Sequence, residues 1–124
     1  MITLATLPTA TTQEIFTQVA THLLTQNAKS LALVNLTSDE KSCAYRGDNG
    51  MKCAAGCLIA DEEYNPAMME GNSWYWISDE LGLNTMDERT LIISALQNVH
   101  DQYAPDSWRD MLQRIAHEYK LVMP

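Results

Sequence analysis

Twice in this chain a Thr-x-x-Glu tetrapeptide stands ahead of apolar residues at helical spacing, at Thr11 to Glu14 and at Thr85 to Glu88. In such a box the threonine oxygen accepts a first-turn N–H and the glutamate reaches back to the threonine N–H, so each marks a helix start. Behind the first box, Ile15, Phe16, Val19, Ala20, Leu23 and Leu24 form one apolar stripe, with Asn27 as the stop. Behind the second, Ile92, Leu96, Val99 and Tyr103 recur on one face with Leu91 and Ala95 alongside, and Pro105 breaks the run. A shorter helix carries Trp74, Ile77 and Leu81, capped by Asn72 or Ser73 and stopped by Gly82. A last helix opens near Pro105-Asp106, and its stripe of Trp108, Met111, Leu112, Ile115, Ala116 and Tyr119 is wide enough to bury against two neighbours.

Between these helices lies a stretch of other character. Residues 30 to 36 are apolar and partly β-branched, which favours a strand. Ser42 to Arg46, the turn Gly47-Asp48-Asn49-Gly50, and Met51-Lys52 read as a β-hairpin, which must pack on a helix or pair with residues 30 to 36 to be stable. Cys53 to Glu63 reads as a short helix ended by Asn65-Pro66. Gly56 inside it costs about 1 kcal/mol against alanine, which points to a close backbone contact there. The expected fold class is α+β, mainly α: four or five helices around one core with a small β-hairpin, or three short strands. Residues 1 to 10 read as a flexible arm, ordered only where it docks, and residues 11 to 124 as one globular domain.

Charge narrows the partners. The chain carries 16 acids against 8 bases, a formal charge of -8. Such a surface lacks the basic patches that phosphate backbones and anionic lipids require, so no direct nucleic acid or membrane partner is expected. No apolar run nears the ~20 residues of a membrane helix, and the first residues lack a basic leader, so the chain reads as cytoplasmic with reduced thiols and no cofactor.

The acidity is local. Between Lys52 and Arg89 there is no base, while Asp61, Glu62, Glu63, Glu70, Asp79, Glu80, Asp87 and Glu88 supply eight acids; the rest of the chain balances eight against eight. One reading is a solvated face that maintains solubility. The other is a docking face for a partner with a basic surface, made of Asp61, Glu62, Glu63, Glu70, Asp79 and Glu80 with Trp74 and Trp76 as aromatic anchors. On a helix Trp74 and Trp76 are about 200° apart, so both cannot face the core.

Cysteine chemistry is the alternative. Cys53 and Cys57 are four apart on the expected short helix and Cys43 lies on the strand before it, so three thiols could converge with His22 or His100 as a fourth metal ligand. Their spacing is not that of a zinc knuckle or ribbon, and small buried core thiols are the commoner fate. Cys53 near a helix N-terminus could instead be a nucleophile, but no motif supplies its base or an oxyanion hole. His117 lies off its stripe and reads as exposed. Turn chemistry accounts for Arg46-Gly47-Asp48, and Arg46 is expected to pair with a carboxylate of the acidic segment.

The block Cys43-Ala44-Tyr45-Arg46-Gly47-Asp48-Asn49-Gly50-Met51-Lys52-Cys53-Ala54-Ala55-Gly56-Cys57-Leu58-Ile59-Ala60-Asp61-Glu62-Glu63-Tyr64, followed by Met69-Glu70-Gly71, resembles a family of small uncharacterised proteins scattered through phages and bacterial genomes. The likeness extends to Gln13-Glu14-Ile15-Phe16, to Leu96-Gln97-x-Val99-His100-Asp101 and to Trp108. The resemblance implies a small accessory protein acting on host machinery in the host cytoplasm. Combined with the acidic segment, it leads to a non-enzymatic protein that modulates a basic host protein, a defence or nucleic-acid-handling factor, as an electrostatic decoy. The site on Cys43, Cys53, Cys57 and His100 is kept as the alternative, and the wide stripes also allow a homodimer.

Overall fold

The computed structural model describes residues 1–33 and 39–124. Helix α1, Thr12–Gln26, begins with the expected box: the Thr11 hydroxyl accepts the Glu14 N–H, and the Glu14 carboxylate accepts the Thr11 N–H at 2.9 Å. It stops at Asn27, whose φ of 48° is the left-handed cap that asparagine tolerates. Its face of Ile15, Phe16, Val19, Ala20 and Leu23 is fully buried.

Helix α4, Glu88–Gln102, starts two residues later than the second box implies. Asp87, not Thr85, caps it by accepting the Arg89 N–H at 2.8 Å, and it also pairs with the Arg89 guanidinium at 3.0 Å. A carboxylate one residue before the first turn competes better for the exposed N–H groups than a hydroxyl farther back. Helix α5, Trp108–Tyr119, buries Trp108, Leu112, Ile115 and Ala116. Together α1, α4 and α5 pack pairwise into one core. Helix α3, Trp74–Glu80, is capped by Ser73 and lies on α4.

The β element differs from the expected hairpin in its pairing. Strand β1, Leu31–Leu33, runs antiparallel to β2, Lys41–Cys43, with Leu31 opposite Cys43. Residues 34 to 36 of the expected strand lie outside the described residues. Among the described residues the Gly47 to Gly50 turn closes a single bridge, between Arg46 and Lys52.

No helix spans Cys53 to Glu63. The segment forms two single turns, Ala55–Leu58 and Asp61–Glu63, and Asn65-Pro66 does not end a helix but opens one, α2, Pro66–Met69. Backbone groups that a helix would pair internally need other partners here. Long side chains provide them: Gln18 donates to the Cys57 carbonyl at 3.1 Å, Gln97 accepts the Ala55 N–H at 2.9 Å, and Arg46 donates to the carbonyls of Gly56 and Ile59 at 2.8 and 2.6 Å. The expected close contact at Gly56 is present, since a Cβ there would lie 2.5 Å from the Tyr45 carbonyl oxygen.

Residues 1 to 10, expected as an arm, are docked. The Ile2 N–H donates to Gln18 at 2.7 Å, Leu4 and Ala5 donate to the two oxygens of Glu63 at 3.0 Å, and Leu7 and Ala10 are buried.

Candidate functional site

The acidic segment divides into two kinds of carboxylate. Asp61 pairs with Arg46 at 3.2 Å, as expected of that arginine, and Lys52 stands 4.0 Å away. Glu63 accepts N–H groups from Ala60, Leu4 and Ala5; burial opposes its ionisation, and the three donors together outweigh burial and hold its carboxyl below the usual range. Glu70 accepts the N–H groups of Tyr45 and Arg46 at 2.9 and 3.1 Å and the Tyr64 hydroxyl. Glu63 and Glu70 tie the chain to itself, whereas Asp61 makes its pair with Arg46 at the surface, with 83% of its side chain exposed. Glu62, Asp79 and Glu80 face solvent.

Of the two expected anchors only one is available. Trp74 is 1% exposed and belongs to the core with Ile77, whereas Trp76 is 42% exposed and its neighbour Tyr75 is 55% exposed. The helical period decides this: with Trp74, Ile77 and Ser78 turned inward, Tyr75 and Asp79 stand one turn apart on the outside, and so do Trp76 and Glu80. Tyr75, absent from the expected set, is the more exposed of the two aromatics on the outer face. Among the described residues the buried Trp74 indole N–H finds no acceptor, while the Trp108 indole donates to the Tyr103 carbonyl at 3.0 Å.

The thiols do not converge. Among the described residues, Cys43 groups with His100 and Asp101, their donor atoms within 4.8 Å of one another, and neither Cys53 nor Cys57 joins them. Cys53 Sγ accepts the Gly56 N–H at 3.3 Å, and the Cys57 thiol donates to the Ala54 carbonyl at 3.1 Å. His22 is also elsewhere, with its Nε2 2.8 Å from the Lys52 carbonyl; burial pushes its pKa down, partly offset by that carbonyl. The expected four-ligand site is therefore corrected to a cluster of three, with Asp101 as a member that spacing arguments passed over.

Nor are the donors of that cluster free for a metal. His100 is fully buried, its Nε2 accepts the Ser30 main-chain N–H at 2.9 Å, and its Nδ1 lies 2.8 Å from Asp101 Oδ1. An Nε2 that accepts leaves the ring proton on Nδ1, where it donates to Asp101, so neither nitrogen offers a lone pair. The ring also stacks on Trp108 at 5.5 Å. His117 is exposed, as expected.

Burial pushes the Cys43 thiol up to about 11, with the Asp101 charge adding to it, and pushes Cys53 and Cys57 up to about 12. This is the reverse of what a nucleophile requires and corrects the reading of Cys53 as one. Because the folded values exceed the unfolded one, the folded state holds thiol protons that the unfolded state loses, and stability falls as pH rises from the ordinary thiol value toward 11 and 12. Urea midpoints measured from pH 7 to pH 11 are expected to drop above about pH 8.5. Alkylation of the native protein at pH 8 should run about a hundredfold slower than that of an unstructured cysteine peptide; equal rates would contradict the burial argument.

Two concavities accompany these groups. A broad open groove of about 1110 Å³ follows the outer face of α1 past Thr17, Thr21 and Thr25 to Lys52. A cleft of about 200 Å³ lies where α3, α4 and the segment after β2 meet, lined by Tyr45, Trp74, Tyr75, Ser94, Asn98 and Asp101 among others. The cleft joins the exposed face of α3 to the Asp101 cluster. Among the described residues no helix is long and apolar enough to cross a membrane. No protein-family model matches the chain, and neither curated proteins nor solved structures yield a match.

Proposed function

We propose that this protein is a non-enzymatic binding module that captures a protein with a basic surface through the outer face of α3. The observation that supports this most is the pairing on that face of two exposed aromatics, each with a carboxylate one turn on: Tyr75 with Asp79 and Trp76 with Glu80. An aromatic flanked by acids gives a basic partner both apolar contact area and charge complementarity, and no Lys or Arg between Lys52 and Arg89 weakens that field. Of the six acids expected on the docking face, Glu63 and Glu70 are held by main-chain N–H groups and Asp61 is paired with Arg46, so the face is smaller than that set: Glu62, Trp76, Asp79 and Glu80, with Tyr75 added. The resemblance to phage-borne proteins favours a host protein as the partner, met in the host cytoplasm.

The test is capture from a bacterial lysate by the immobilised protein, compared with Trp76→Ala and with an Asp79→Lys, Glu80→Lys double variant. A specific partner is expected to bind at about 0.05 M salt, to be released at about 0.5 M, and to be lost at least about tenfold in both variants. An Asp110→Lys, Glu118→Lys variant on α5 has the same net charge as the α3 double variant and should retain binding. If the α3 and α5 variants behave alike, bulk charge and not this face governs binding, and the proposal fails.

A further inference from the structure

We propose that the cleft between α3 and α4 receives one arginine side chain of the partner; this rests on the docking reading above and names its anchor. With about 200 Å³ the cleft is smaller than the roughly 300 to 1,000 Å³ of pockets built for free small molecules, and it suits a single side chain delivered by a larger body. Its rim is Tyr75, on the face already assigned to docking.

Charge selects the occupant. Among the described residues that line the cleft, Asp101 is the one that carries a charge. Its carboxylate meets neutral donors, the His100 Nδ1–H at 2.8 Å and the Cys43 thiol, and among the described residues no Lys or Arg nitrogen comes within 4.0 Å of it. Lys29 bonds instead to the Asp101 main-chain carbonyl at 3.1 Å. A half-buried carboxylate without a cation that lines a polar cleft is complemented by one from outside.

Geometry favours arginine over lysine. The Tyr45 hydroxyl gives its proton to the Asn72 carbonyl at 2.8 Å and keeps lone pairs, and the Ser94 hydroxyl and Asn98 amide add further acceptors, so several acceptors besides Asp101 line one small space. A planar five-donor fork uses such an array better than a point charge, and the exposed Tyr75 lines the same cleft with an aromatic ring on which a guanidinium can stack. The protein holds one of its own arginines by the same means: Arg46 lies 5.0 Å over the Tyr64 ring, donates to the Gly56 and Ile59 carbonyls, and pairs with Asp61 at 3.2 Å.

The experiment is an amide chemical-shift titration of the ¹⁵N-labelled full chain with N-acetyl-arginine methylamide, its citrulline counterpart and its lysine counterpart. The arginine probe is expected to shift Tyr75, Ser94, Asn98 and Asp101 with a millimolar midpoint, and the neutral citrulline probe to bind at least about tenfold more weakly. Asp101→Asn should lose about tenfold; because Asp101 also supports His100, Tyr75→Ala, at an exposed position, is the second variant and should weaken binding severalfold with the fold unchanged. Equal shifts from citrulline, shifts confined to other surfaces, or lysine binding as tightly as arginine would overturn the assignment. An empty cleft with lysate capture still lost in Trp76→Ala overturns the cleft alone. Capture unaffected by the α3 variants overturns the docking reading whatever the cleft binds.

Discussion

A Gly56→Ala variant is expected to lose about 2 to 3 kcal/mol of stability, seen as a lower urea midpoint at unchanged denaturant slope. The added Cβ would meet the Tyr45 carbonyl oxygen at 2.5 Å and Cys53 Sγ at 3.3 Å. The nearer contact is main chain, and Tyr45 cannot recede, since its N–H is held by Glu70 and its hydroxyl by Asn72. Gly56 is held too: its N–H donates to Cys53 Sγ at 3.3 Å and its carbonyl accepts from Arg46 at 2.8 Å. Propensity alone would make this substitution favourable by up to about 1 kcal/mol, because alanine restricts the unfolded chain. The sign of the effect therefore separates the two accounts, and a midpoint equal to or above the parent's would mean the backbone yields at this point.

Gly56 also marks where sequence reasoning weakens. The start and stop of α1 were legible because both are local: Thr11 and Glu14 bond each other's backbone, and Asn27 adopts its turn by itself. The buried stripe of α5 and the Ile92, Leu96 and Val99 face of α4 were legible from the helical period for the same reason, but Leu91 and Tyr103, read onto that α4 face, are exposed, and Ile93, left off it, is fully buried. Cys53 to Glu63 was not, because the groups that satisfy its backbone come from far along the chain, Gln18 and Gln97 lying 39 and 42 residues away from Cys57 and Ala55. No window of sequence contains both members of such a pair. The site was half legible for a related reason. The spacing of Trp74 and Trp76 requires that one be exposed, but which one depends on the side of α3 that meets α4. Net charge located the acidic segment, yet charge carries no information on which carboxylates turn toward main-chain N–H groups.

That sorting is open to a direct measurement. Glu70→Ala is expected to cost about 3 to 4 kcal/mol, whereas Asp79→Ala, the same change of charge in the same segment, should lie within about 0.5 kcal/mol of the parent. Removing the Glu70 carboxylate leaves the Tyr45 and Arg46 N–H groups and the Tyr64 hydroxyl without their acceptor, each half-buried or deeper. It also releases the segment that carries Tyr45, which lines the cleft and limits Gly56. Glu70→Gln keeps one acceptor oxygen and should fall between the two. Capture assays read against these stabilities then separate acids that bind the partner from acids that hold the fold: Glu62, Asp79 and Glu80 should affect binding at parental stability, and Glu63 and Glu70 should affect binding only as far as they unfold the protein. A Glu70→Ala variant with the parental urea midpoint and weakened capture would reverse that order and return Glu70 to the docking face.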